Sequence, residues 1–200
     1  MNETQKVNPA KRNQAALDFL LSRRSRPAKT LVAPAPDAAQ LSEILQAAAR
    51  TPDHGKLEPW RFIVITRAAA QRLGREAETR ATAQGQPEDK VAKASKQFFD
   101  SQLCVAVISS PKASEKVPEI EQLLSVGAVC LSLLNGALAA GWGGNWLTGW
   151  AAHDTAFGQD LLGLKSGEFV AGFVHLGTEG VTPPDRPRPD LEAITNWISE

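Results

Sequence analysis

The sequence contains no tyrosine, only three histidines and only two cysteines, and its charges cancel, with 22 Lys and Arg against 22 Asp and Glu. Without tyrosine and with so few histidines, the chain is poorly supplied with general acids. A net charge of zero gives no global field to draw it to nucleic acid or to anionic lipid, so any phosphate recognition must be local. Cys104 and Cys130 sit in the apolar runs QLCVAVI and GAVCLSLL and read as buried reduced thiols, as expected of a cytoplasmic protein, rather than as a disulfide. His54, His153 and His175 are far apart and show no ligand pairing, which argues against a metal site, and His175 in FVHLG reads as a core or sheet residue. The N-terminal MNETQKVNPAKRNQ is polar and lacks the apolar core of a signal peptide. The longest apolar stretch, Val126 to Trp142, is interrupted by Ser132 and Asn135 and falls short of the roughly 20 residues a membrane span needs. A helix apolar nearly all round is then one buried in a core or an interface, and no membrane association is expected.

The 200 residues suffice for one domain with a sizeable core. Residues 1–13 read as a flexible arm and 14–200 as a single domain with a C-terminal extension. A first helix carries Ala16, Leu17, Leu20 and Leu21 on one face and delivers the chain to SRRSRP. Extended VAPAPD follows, and Asp37 is a good N-cap for a helix with Leu41, Ile44, Leu45 and Ala48 at core spacing. Pro52 ends that helix near Arg50. Trp60 to Thr66 is a strand. Ala68 to Asp100 is helical with a break at Gln84 to Pro87, and Leu103 to Ser109 is a second apolar strand. Pro118 opens the long apolar helix, which ends at Gly141. A glycine-rich turn, a short helix around Asp154 to Leu162 and a third strand, Phe169 to Leu176, complete the core. The proline-rich tail closes on a short amphipathic segment, Leu191 to Ile198. Helices outweigh a few buried strands, which makes one α+β or α/β domain with a central sheet.

Three constellations carry chemistry. In SRRSRP, three arginines in four positions with a serine among them form a compact anion receptor, because guanidinium forks match phosphate oxygens two at a time. The same residues also suit a solvated helix C-terminus. ARTPDHGKLEPW presents Arg50, Asp53, His54 and Lys56 on a loop between helix and strand, either a ligand site or an ordinary capped loop. GWGGNWLTGW combines glycines, which let backbone approach a planar ligand, with tryptophan walls. It fails the dinucleotide fingerprint, since Trp146 stands at the third glycine and a helix precedes it. GQDLLGLKS resembles a phosphate-binding P-loop, but Leu164 separates Gly163 from Lys165 and no strand leads in.

In this order, SRRSRP, ARTPDHGKLEPWRFIVI, GWGGNWLTG and GFVHLGT resemble the FMN-dependent nitroreductase family, in its small YdjA-like branch, across roughly Leu17 to Gly177. The resemblance implies an α+β, nitroreductase-like fold with a central mixed sheet flanked by helices, in an intertwined homodimer with FMN at the subunit interface. It implies that Arg23, Arg24 and Ser25 bind FMN around its phosphate and ribityl chain. Arg50 and His54 would reach the flavin held mostly by the other subunit, and Trp146, Leu147 and Thr148 would line the isoalloxazine. Of the C-terminal pair Arg186 and Arg188, the latter is favoured for the phosphate. Relatives commonly carry Arg where Leu147 stands, which leaves a backbone contact there, and Asn145 and Trp150 imply a reshaped pocket. The implied reaction moves hydride from NAD(P)H through FMN to a nitroaromatic or quinone-like small-molecule acceptor, in a ping-pong sequence, with the flavin and not a side chain carrying the chemistry. Dehalogenation, flavin destruction and a non-enzymatic flavin- or phosphate-binding role remain alternatives.

Overall fold

The computed structural model describes residues 11–200. The expected arm therefore falls largely outside the described residues, and only 11–13 are seen, as exposed coil. Twelve helices and strands follow: α1 (Gln14–Ser22), β1 (Leu31–Val32), α2 (Ala38–Ala48), β2 (Trp60–Thr66), α3 (Arg67–Ala83), α4 (Glu88–Phe99), β3 (Leu103–Ser109), α5 (Glu119–Ala139), β4 (Gly143–Leu147), α6 (Trp150–His153), α7 (Thr155–Leu162) and β5 (Phe169–Glu179). Local chemistry accounts for the boundaries. Asp37 and Gln40 form a reciprocal capping box at the start of α2. Gly141, at φ 86°, closes α5 as the Trp142 amide bonds back to the Ala137 carbonyl.

The sheet runs β1-β5-β3-β2, with β4 also paired to β5. Every pairing among the described residues is antiparallel, which corrects the expected mixed sheet. The connections explain the difference. β2 and β3 are joined by two helices, α3 and α4, so the chain leaves and returns at the same edge. α5 alone joins β3 to β4, which makes those two strands co-directional, but β5 lies between them.

β3 is buried along its whole length, and its side chains alternate between two cores. Cys104, Ala106 and Ile108 pack with Leu73, Phe98, Phe157 and Phe173 beneath α3, α4, α6 and α7. Leu103, Val105 and Val107 pack with Ile44, Val126, Val129 and Leu133 beneath α2 and α5. The result is a sheet between two helical layers, consistent with the α+β expectation. Phe98 stacks on Phe157 at 5.8 Å and meets Phe173 edge-on at 5.3 Å, locking α4 and α7 to the sheet.

α5 is the one described helix long and apolar enough to cross a membrane by length and composition, and 44% of its apolar window is buried. Ile120, Leu123, Leu124 and Leu131 of the same helix are exposed. Of the expected burial in a core or an interface, the single chain accounts for the core-facing side alone. α1 buries none of its residues, and Leu17, Leu20 and Leu21 are exposed. The C-terminal segment forms turns rather than a helix, and Leu191, Ile194, Trp197 and Ile198 are exposed.

Candidate functional site

Two of the three constellations meet in the folded chain. Asn13 caps α1 through the Ala16 amide, and the helix ends as the Arg23 amide bonds to the Phe19 carbonyl. The chain then extends along β4: the Arg26 amide donates to the Gly144 carbonyl at 2.8 Å, and Asn145 Nδ2 donates to the Arg26 carbonyl at 2.9 Å. SRRSRP is thereby pinned to GGNWLTG by its own backbone. Arg23 Nη2 reaches Ser25 Oγ at 3.0 Å, Arg24 Nη1 reaches the Ser25 carbonyl at 3.2 Å, and Arg26 Nη1 donates to the Arg24 carbonyl.

The electrostatics of this corner are unbalanced. Arg23 is held below its ordinary pKa first by burial and then by repulsion from Arg188, Arg24 and Arg26, so the tail arginine lies in the same field as the N-terminal group. Among the described residues, two carboxylates pair with these arginines. Glu179 pairs with Arg26 at 2.7 Å and Asp185 with Arg188 at 2.7 Å, and both carboxyls titrate below the usual range. Glu179, beside the Arg26 guanidinium, and Asp185 are components that sequence reading missed. Arg23 Nε and Arg24 Nε are buried without a hydrogen-bond partner among the described residues. Buried donors on mutually repelling cations suit an anion. Arg186 uses only its amide, towards Asp185.

Gly143 and Gly144 have a different purpose from the one expected of glycines beside a ligand. A Cβ at Gly143 would sit 2.6 Å from Leu31 Cδ2, and one at Gly144 would sit 2.9 Å from Leu134 Cδ1, so they admit neighbouring elements of the fold. Strand alternation splits the next three residues. Trp146 turns to the α5 side, donates from Nε1 to the Ala171 carbonyl at 3.2 Å and lies over Gly172. Leu147 and Thr148 instead line a cavity of about 800 Å³ with Pro27, Asn145, Lys96 and Gln97. Leu147 and Thr148 therefore share a surface that the Trp146 ring does not. Gln97 Nε2 is also buried without a partner.

The third constellation is built onto α5. Thr51 Oγ1 bonds Ser132 Oγ at 3.0 Å, Ser125 Oγ bonds the Pro52 carbonyl at 2.6 Å, and Asp53 accepts from the Glu58 amide. Gly55, at φ 73°, supplies the turn that Lys56 and Glu58 continue at φ 53° and 49°. His54 Nδ1 lies 2.6 Å from Glu121 Oε2, a contact invisible in sequence across 67 residues. Arg50 is exposed just beyond α2. Among the described residues, no hydrogen bond, ion pair or cavity lining joins Arg50 or His54 to the arginine corner. His175 is fully buried and bonded through Nδ1 to Ser101 Oγ, the core role expected of it. No metal-binding group of His, Cys, Asp and Glu occurs among the described residues.

A model of the nitroreductase family matches residues 20–178, most of the chain, from the end of α1 to the end of β5 less its last residue. The chain belongs to the nitroreductase family. It is 34% identical over 163 residues to an Escherichia coli protein named "Putative NAD(P)H nitroreductase YdjA", covering 82% of this chain and 87% of that one. Among solved structures, the nitroreductase-like family protein from Bacillus cereus superposes with a TM-score of 0.76 at 20% identity, over 96% of this chain and 99% of that one. An FMN-dependent nitroreductase from Clostridium difficile superposes at 0.66 and 15% identity, over 90% and 98%. The nitroreductase-like fold is thus established by membership and by shape together.

Proposed function

We propose that this nitroreductase-family chain is an FMN-dependent NAD(P)H oxidoreductase that works as a homodimer. The observation that carries the reading is the arginine corner: buried guanidinium nitrogens without partners, fixed by backbone hydrogen bonds to the strand whose end lines the cavity. A flavin phosphate satisfies those donors and relieves the repulsion among Arg23, Arg24, Arg26 and Arg188. The names of its relatives agree, since one is called an NAD(P)H nitroreductase and another FMN-dependent.

When bound, FMN would supply the hydride chemistry between a nicotinamide donor and a nitroaromatic or quinone-like acceptor. The side chains have the remaining tasks. Arg23, Arg24, Ser25 and Arg188 would hold the phosphate, and the backbone of Leu147 with Thr148 would contact the isoalloxazine. Arg50 and His54, on the loop held to α5 through Thr51, Pro52 and His54, would reach the flavin from the second subunit. His54 is oriented by Glu121, which takes Nδ1 and leaves Nε2 free. The exposed leucines of α1 and α5 supply apolar area for a two-fold contact that brings the halves together. Donor and acceptor use one cavity in turn, which gives ping-pong kinetics. The buried thiols Cys104 and Cys130, both raised in pKa by burial, suit a reducing compartment such as the cytoplasm.

The first test is the absorption spectrum of the purified protein and the identity of the released chromophore; a colourless protein that binds no added FMN refutes the reading. The second uses subunit exchange. Arg24→Ala and His54→Ala homodimers should each bind FMN poorly. A heterodimer with one change in each chain should recover one intact site, because the undamaged Arg24 and His54 then meet across the interface. No recovery would place both residues in a single-chain site.

A further inference from the structure

Given a flavin ring along Leu147 and Thr148, as proposed above, the donor dinucleotide still needs a place for its phosphates, and the chain has no dinucleotide fold to provide one. Two cavities lie side by side along α4. The one of about 800 Å³ contains Leu147, Thr148 and Lys96; the other, of about 510 Å³, contains Gln84, Lys90, Trp150 and Asp154. They share Lys93 and Gly149 in their walls, so they form one groove leading away from the flavin edge.

α4 places Lys90, Lys93 and Lys96 three residues apart, on one ridge of the helix. At 1.5 Å rise per residue the ridge spans about 9 Å. Lys90 and Lys96 pair with no carboxylate among the described residues, and Lys29, in the wall of the larger cavity, pairs with none either. Lys93 pairs with Asp89 at 2.9 Å, but both side chains are exposed and such a pair exchanges readily. Of the other acids, Asp154 already accepts from Gln84 Nε2 and from the Phe157 amide, both at 2.6 Å, and Asp100 stands at the end of α4. Gln97 Nε2, buried and unpartnered, adds a free donor between the ridge and Gly149.

We infer that this groove is the docking path of the nicotinamide dinucleotide, with its pyrophosphate on Lys93 and Lys96 and its adenosine in the chamber of Trp150. The nicotinamide enters the larger cavity, where it can reach a flavin. The ridge supplies cations at the spacing of a phosphate chain, and the indole offers an apolar wall to the base. An anionic acceptor is a less complete match, because it would leave the second chamber unused.

The test is the flavin-loaded double variant Lys93→Glu/Lys96→Glu, whose sites are exposed and whose folding is checked by retained flavin. ADP-ribose, measured by calorimetry, should bind the unmodified holoprotein and at least about tenfold more weakly to the variant. In turnover, kcat/KM for the better of NADH and NADPH should fall by a similar factor relative to kcat/KM for reduced 1-benzylnicotinamide, which has no phosphates. Unchanged ADP-ribose binding with an unchanged ratio, in flavin-loaded protein active with both donors, overturns the groove assignment alone. Sensitivity of a nitrobenzoate acceptor to the same variant, without any change towards ADP-ribose, reassigns the ridge to the acceptor. A protein that binds no flavin and oxidises neither donor overturns the flavin reading, and this inference with it.

Discussion

Removing the charge of Arg23 should move the empty protein and the flavin complex in opposite directions. In the empty protein the Arg23 guanidinium is partly buried, repelled by Arg188, Arg24 and Arg26, and its Nε has no partner. Its one side-chain hydrogen bond is to Ser25 Oγ, and the helix end is closed by its backbone amide, which any residue retains. Arg23→Met keeps the length and apolar stem but removes the cation, so the apoprotein should melt at the same temperature or higher. In the complex, the lost charge-assisted contact to phosphate costs about 1.5–3 kcal/mol, or about 10- to 150-fold in the dissociation constant. The assay pairs thermal unfolding of the apoprotein with titration of FMN followed by quenching of its fluorescence. FMN should raise the melting temperature of the variant less than that of the parent at equal concentration. A variant whose apoprotein melts lower while its FMN affinity is unchanged would show Arg23 to be a structural helix end, and the phosphate reading would fail.

Two further outcomes follow from the structure. His175 is pushed down by burial to about 4, so the unfolded chain takes up its proton first as the pH falls. The stability this neutral histidine protects is complete above pH 6.5 and is lost between there and about 4, a total of about 3 kcal/mol. Urea midpoints at pH 7.5 and 5 should therefore separate in the parent and converge in His175→Gln, and parallel pH dependence in the two proteins would exclude this residue as the cause. On α5, Leu124 is 66% and Leu131 44% exposed in a single chain. If these leucines form the proposed two-fold contact, Leu124→Arg/Leu131→Arg should convert the dimer to monomer in sedimentation and lower FMN affinity at least tenfold while leaving the monomer's helical signal intact. Retention of the dimer would direct the interface elsewhere.

Much of the fold was legible because short-range chemistry dictated it. β2 and β3 begin and end where their apolar runs do, and the break between α3 and α4 falls at the Gly85–Pro87 turn. The capping box at Asp37 needs only residues three apart. The tail was less readable: Leu191 to Ile198 has helical spacing but no partner in this chain, and an isolated stretch that short does not sustain a helix. Strand direction was also out of reach, because it depends on how many helices return the chain to an edge and on which strands become neighbours.

The sequence by itself determined the chemistry available: a tight arginine group, a donor-rich loop, a glycine-tryptophan strand, no tyrosine and no metal set. Those are properties of residue type and close spacing. Only the tertiary structure decided which groups meet. It brought Arg188 into the field of Arg23, bound SRRSRP to β4, set Glu121 on His54, turned Trp146 away from Leu147 and placed the α4 lysines beside a groove. Apart from the turn of Trp146, which is strand alternation, each of those joins segments tens of residues apart. Their distance is set by the packing of helices on an antiparallel sheet, where one alternation of a strand is enough to send a side chain to the opposite face.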